Sequence, residues 1–281
     1  GLESGILKAQ VTNGVSMVET SLMFPQDDQW HHIAISYGES PKSFSMYLDG
    51  ILSDGPILLG GSGTIPSPID KPSLGNVSGT AGLSGFGNFK GNIDEIRIYD
   101  RGISATEVQQ IQQGDFVNEG FIEFLAIEKP TVYTRKPSDV LPTQSTMNIE
   151  VLSIGGKIVE KEVIEDLSFK SDSITGMQVW FSAQDIGTPT VNGEGITNWS
   201  DLSGNGRDLV YTSGSPRYFN SALKGKPVIN FDGDDLIWTE HNFDHLQKTG
   251  YSIVSIARYT GALNGRVISS RTKNFLLGFH G

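Results

Sequence analysis

Phe89-Lys-Gly-Asn-Ile-Asp-Glu-Ile-Arg-Ile-Tyr99 is the stretch that decides the fold. Apolar and polar side chains alternate along it, and a period of two is the signature of a β-strand. By that alternation Asp94 shares a face with Ile96 and Ile98, the face expected to meet a core, while Glu95, Arg97 and Tyr99 point the other way. A carboxylate at a core-facing position needs a partner. The candidates are calcium, a hard cation that takes oxygen ligands, and, as the alternative, backbone N–H groups or an arginine near the sheet edge.

Upstream, Trp30-His-His-Ile-Ala-Ile-Ser-Tyr37 alternates in the same way, with Ile33, Ile35 and Tyr37 on one face and His32, Ala34 and Ser36 on the other. Phe44 to Leu48 reads as the next strand and ends in Asp49-Gly50, a pair suited to the positive φ of a hairpin turn. Ile51-Leu52 begins the return, which makes an antiparallel meander. Gly60 to Gly87 is rich in Gly, Ser and Pro and reads as long loops around one short strand near Ser73 to Gly75. Loops of that kind are where a β-scaffold usually binds its ligands. Downstream, Ser104 followed three residues on by Glu107 is a capping box ahead of Val108 and Ile111, and predicts a helix of about two turns.

The composition agrees with an all-β chain. The 34 glycines and 12 prolines cut 281 residues into short segments, and a hydrophobic fraction of 37% is enough for ordinary cores. A net charge of −11 without a basic stripe disfavours nucleic acid and anionic membrane surfaces as partners. The absence of cysteine excludes disulfides, thiolate metal sites and cysteine nucleophiles, and in a secreted protein points to a bacterial type of exoprotein. No run of about 20 apolar residues predicts a membrane-spanning helix.

The blocks Trp30 to Tyr37, Met46-Tyr-Leu-Asp-Gly50, Phe89 to Tyr99 and Ile103-Ser-Ala-Thr-Glu-Val108, in that order, resemble the second half of a laminin-G-like (concanavalin A-like lectin/glucanase) jelly-roll module. The resemblance implies an all-β fold, an antiparallel jelly-roll β-sandwich of two sheets. It also implies binding of glycan or protein, often with a structural calcium ion. Residues 115–172 shift toward Glu, Lys and Pro and read as a connector or a small immunoglobulin-like β unit. Within it, Met147 to Ile154 and Lys157 to Ile164 flank Gly155-Gly156 as a hairpin, and Phe121 to Ile127 is a further candidate strand. From Ser173 onward, Gly176-Met-Gln-Val-Trp-Phe-Ser-Ala183, Trp199 to Asp208, Val228 to Asp235 and Tyr251 to Arg258 are similar to the first half of the same kind of module. The expected organisation is therefore 1–114 as the C-terminal half of one module, 115–172 as connector and 173–281 as the N-terminal half of a second. Each sheet of a sandwich draws strands from both halves, so neither half buries both inner faces alone. The half from Ser173 is accordingly expected to pair with the half that ends at Gly114.

Candidate site residues follow from chemistry. Asp232-Gly-Asp-Asp235 places carboxylates so close that they repel unless solvated or met by a cation. Asp94, Asp232 and Asp234 are the candidate metal ligands, for calcium, with a solvated acidic turn as the alternative for the last two. Asp201-Leu-Ser-Gly-Asn-Gly206 begins like an EF-hand loop, but Thr212 stands where the bidentate Glu is required, which rejects that reading. His31 and His32 are adjacent on a strand and cannot chelate one ion. His241 and His245 lie in loop-like sequence without a clear third ligand. Trp238, Tyr211, Tyr218, Tyr259 and Phe86 are the candidate stacking platforms for a sugar face, whereas Trp30, Trp180 and Trp199 belong to module-defining blocks and are expected in the core.

No catalytic pattern emerges. The Glu-x-Asp-x-x-Glu run that puts a glucanase's acid and nucleophile on one strand face is missing, and Asp94-Glu95 are neighbours on opposite faces. A nucleophile elbow and a phosphate-binding loop are missing too. The expectation is a non-catalytic, secreted or cell-surface segment for binding or adhesion, with a polysaccharide or surface glycan as partner. An accessory part of a larger secreted glycoside hydrolase and a ligand-free spacer in a surface array are the alternatives.

Overall fold

The computed structural model describes residues 5–12, 17–25, 27–39, 42–58, 71–75, 88–116, 148–154, 157–163, 174–186, 191–243, 246, 250–261, 265–270 and 275–280. In chain order the elements are β1 (Gly5–Thr12), β2 (Met17–Phe24), β3 (His31–Glu39), β4 (Lys42–Leu48), β5 (Ile51–Leu58), β6 (Pro72–Leu74), β7 (Lys90–Tyr99) and helix α1 (Ala105–Phe116). Then follow β8 (Asn148–Ile154), β9 (Lys157–Val163), β10 (Met177–Phe181), β11 (Tyr211–Ser213), β12 (Arg217–Leu223), β13 (Lys226–Asp232), β14 (Leu236–Trp238), β15 (Gly250–Tyr259), β16 (Gly265–Ser270) and β17 (Phe275–His280).

Two antiparallel sheets face each other. One runs β11-β14-β6-β16-β17-β1-β2 and the other β12-β13-β7-β15-β3-β4-β5, with β10 also on β7. This is the expected jelly-roll β-sandwich, and both sheets combine strands from before and after the connector. Inward residues from both sheets, among them Leu7, Ile33, Ile35, Ile93, Ile98, Phe231, Ile253 and Leu277, form one continuous core. The β8–β9 hairpin pairs only with itself among the described residues, and the possible strand at Phe121 to Ile127 lies outside them.

The local signals of the sequence act as read. Asp49 and Gly50 both take positive φ in the β4–β5 turn. Ser104 and Glu107 form the capping box reciprocally: the Glu107 carboxylate accepts from the Ser104 N–H and the Ser104 hydroxyl accepts from the Glu107 N–H. Glu107 is pulled down to about 2 chiefly by its hydrogen bonds from Arg101. The helix is longer than expected, at 12 residues. It packs Val108 and Ile111 with Ala34, Tyr47, Tyr99 and Val254 on the face of the second sheet that points away from the core. Its leading loop is pinned by Ser252 of β15, whose hydroxyl donates to the Arg101 carbonyl and accepts from the Ile103 N–H.

At the open side of the sandwich, Asp54 of edge strand β5 accepts from the Thr20 hydroxyl at 2.7 Å and the Ser21 N–H at 3.0 Å, both on edge strand β2. One carboxylate therefore ties the edges of the two sheets together.

Candidate ligand site

Strand β7 does not alternate cleanly. Ile93 lies opposite Ala257, and Ile98 opposite Ile253, all in the core, but between Val254 and Ile256 of β15 the register shifts, with Ile256 opposite Asp94 and Val254 opposite Arg97. Glu95 is the extra residue of this β-bulge and sits at φ 50°. The bulge reverses the phase, so Asp94 lies with Ile256 and Arg97 on the face away from the core. This corrects the expectation that Asp94 shares the face of Ile96 and Ile98.

The bulge falls where β7 changes neighbour. Lys90 to Ile93 pair with β13, and Ile96 to Tyr99 pair with β10. In the break between those ladders the two carboxylates take over the hydrogen bonding. Asp94 accepts from the Ala183 N–H at 2.7 Å. Glu95 accepts from the Trp180 indole at 2.8 Å, the Ser182 hydroxyl at 2.8 Å and the Arg97 guanidinium at 2.6 Å. Arg97 also lies over the Trp180 ring, 5.1 Å from its centre. All of Asp94, Glu95 and Arg97 are buried. Sequence reasoning missed this network; an adjacent acidic pair inside an otherwise alternating strand was its one visible trace.

The metal candidates do not converge. Asp232 lies opposite Lys90 in the β13–β7 ladder, four residues from Asp94, which is roughly 13 Å along a strand. Asp94 is thus removed from the candidate cation ligands by position and by its engagement with Ala183. Asp232, Asp234 and Asp235 do meet, with ligand oxygens all within 4.8 Å of one another. Asp235 is buried and already accepts from the Ser215 and Asp232 N–H groups. Burial pushes its carboxyl up. In the exposed pair, the side-chain hydrogen bond with Asp234 holds Asp232 below the usual carboxylate range, and the same bond raises Asp234. A calcium ion, which takes six to eight oxygens, would find two exposed carboxylates there, with the rest of its shell left to loop carbonyls and water. The donor set fits a solvent-rich site and no tighter one. The Asp201 loop is closed by its own backbone instead: the Asp201 carboxylate accepts from the N–H groups of Trp180, Ser203 and Arg207.

Of the aromatic candidates, two meet on the surface. Tyr211 of β11 lies opposite Trp238 of β14, and their rings stack 5.5 Å apart at 19°. Ile237, on the next rung opposite Thr212, turns into the core, which sends Trp238 and its partner to the outer face. Tyr211 is 45% exposed and Trp238 half-buried. The same short ladder runs from this pair through Ser213 and Leu236 to Gly214, where an added Cβ would fall 2.5 Å from the Asp235 Oδ1. The stacked pair and the acidic turn therefore stand roughly 10 Å apart at two ends of one ladder. Tyr218 and Tyr259 are corrections: each is only 9% exposed and belongs to the core, with the Tyr259 ring 5.6 Å from Phe89. A ring buried to this degree offers no open platform. Phe86 lies outside the described residues. Trp199 is fully buried as expected, whereas Trp30 and Trp180 are half-buried on the outer face of the second sheet.

His31 was also underread. Its Nδ1 faces the Asp49 carboxylate at 2.8 Å and its Nε2 the Asp27 carboxylate at 3.1 Å. Burial works to lower its pKa, but the two carboxylates prevail and raise it. His32, one residue on, is fully buried and pushed down to about 3, first by burial and then by the charge of Arg97.

A two-sheet antiparallel sandwich with its helix on one outer face defines a concanavalin A-like jelly roll as the class of fold. Residues 4–109 match the sequence model of the concanavalin A-like lectin/glucanases superfamily. Comparison with curated proteins and with solved structures finds no match. Among the described residues no helix is long and apolar enough to cross a membrane.

Proposed function

We propose that this chain is a non-catalytic extracellular binding module whose ligand is a carbohydrate, held on the Tyr211–Trp238 face. The observation that carries the proposal is the stacked pair with a half-exposed tyrosine on an outer sheet surface. A pyranose presents C–H groups on one face and hydroxyls around its edge, and an aromatic ring of this kind covers the first while polar neighbours meet the second. Asp232 and Asp234, the exposed acceptors nearest by the ladder, favour neutral glycans and repel sulfated or uronic ones. The superfamily to which residues 4–109 match is often carbohydrate-binding or adhesive, which agrees with this reading. Calcium at the acidic turn, if bound, would supply charge neutralisation between Asp232 and Asp234.

The non-catalytic part of the proposal is supported by the fate of the acidic pair on β7. Both carboxylates are buried and engaged by donors of Trp180, Ser182 and Ala183, so neither is presented to a glycosidic bond. Calorimetric titration against neutral and acidic oligosaccharides, with calcium and with chelator, tests the reading. Binding of a neutral glycan that falls at least tenfold in Tyr211→Ala is the expected result. Undiminished binding in that variant would move the site elsewhere, and no binding to any glycan would leave the spacer alternative.

A further inference from the structure

All the ladders that join the two sides of the connector are made between residues 5–116 and residues 174–280: β1–β17, β6–β14 and β6–β16 in one sheet, and β3–β15, β7–β15, β7–β13 and β7–β10 in the other. The covalent tie between these two segments is 117–173, whose described strands pair with each other and with neither sheet. Ile6 lies opposite His280 in antiparallel register, so β17 ends beside the place where β1 starts. The short way through the sandwich is from β17 into β1; this chain joins its halves by the long way, from α1 to β10.

We infer that the two halves also complete each other between molecules, residues 174–280 of one copy taking up residues 5–116 of a second. The interface is identical in both arrangements, because only the path of the connector differs. Each half separated from its complement uncovers core side chains, Ile33, Ile93 and Ile98 on one side and Phe231, Ile253 and Leu277 on the other. A second copy supplies the matching surface residue for residue. The pairing is head-to-tail and therefore heterologous, so it propagates into a string or closes into a ring. Each sandwich in such an assembly holds two chains, and the connector becomes the tether between sandwiches.

The competition with pairing inside one chain is a matter of concentration. The covalent tie makes pairing within one chain an intramolecular event, with an effective concentration on the order of mM. Exchange is minor in dilute solution and becomes comparable where copies fold together at mM density.

The chain has no cysteine, which makes a direct test possible. Lys90 of β7 and Asp232 of β13 are exposed and directly opposite across the two halves, and antiparallel partners lie within disulfide reach. Full-length Lys90→Cys and Asp232→Cys chains are mixed, unfolded, refolded together from μM to mM and oxidised. The Lys90→Cys chain with a Gln184→Cys chain is the control for random collision. A Lys90–Asp232 cross-linked pair, identified by peptide mass spectrometry and rising at least fivefold above the control toward mM, is expected. A yield equal to the control at every concentration overturns the inference, provided the double variant Lys90→Cys/Asp232→Cys closes its disulfide within one chain and so proves that the geometry forms.

Discussion

His31 and His32 are neighbours whose proton affinities are shifted in opposite directions. The imidazole of His31 has a carboxylate at each nitrogen and holds its proton more firmly than in the unfolded chain. Its folded pKa is raised, so its contribution is complete below the unfolded value of 6.5 and is lost as pH rises through the folded one. His32 has the opposite sign. Its folded pKa is about 3 against 6.5 unfolded, so protons bind the unfolded chain preferentially throughout that window. Stability should fall by about 1.4 kcal/mol for each pH unit below 6.5, until the folded group itself titrates. Urea midpoints measured from pH 4 to 8 should show this acid slope in the parent and a shallower one in His32→Leu. Equal slopes would assign the acid lability to other groups. Both histidines were legible in the sequence as residues on opposite strand faces, but their partners were not: Asp27, Asp49 and Arg97 come from a loop, a turn and a strand that only the folded chain brings together.

Among the elements, β7 shows most clearly where reading from sequence stops. Its strand character, the turn at Asp49-Gly50, the capping box at Ser104 and the β8–β9 hairpin are local signals, and each is where local chemistry puts it. The bulge at Glu95 is not local. It answers to the break between two neighbouring strands, β13 and β10, which are remote in sequence. Alternation therefore placed Asp94 on the wrong face. The same limit applied to the aromatic candidates, since burial of Tyr218 and Tyr259 depends on the second sheet, whereas Tyr211 and Trp238 became a pair only through the β11–β14 register. At the bulge, Glu95→Ala leaves the Arg97 charge buried opposite a missing carboxylate and strands the Trp180 and Ser182 donors. A loss of about 3 kcal/mol is expected, read as a lower denaturation midpoint; a change below about 0.5 kcal/mol would mean that the network is structurally idle.

At the scale of the whole molecule, the sandwich is one core built from two distant stretches of chain. Phe231 belongs to the later stretch, yet its ring lies 6.1 Å from that of Phe89 in the earlier one. Phe231→Ala is expected to cost about 3–5 kcal/mol, and the loss should appear equally on both sides of the connector. Hydrogen exchange read separately at β3 and β15 measures this. Lowered protection confined to β15 would show two folding units where the pairing predicts one. The interleaving was anticipated from the resemblance of the two halves to parts of one kind of module, and not from any periodicity within them.

The edges of the sheets raise a different matter, that of solubility. Strand β5 lies at the rim with Ile51, Leu52 and Leu58 exposed, which by composition is an invitation to stack with another molecule's strand. Asp54 lies in the middle of that rim and is turned to Thr20 and Ser21 of β2, and Pro56 two residues on has no N–H to offer. The carboxylate that fastens the open side of the sandwich thus also places a desolvation cost in the path of any strand that would add there. Such an intruder would have to displace Asp54 from its donors and meet a negative charge, which disfavours the addition of a strand at this apolar rim.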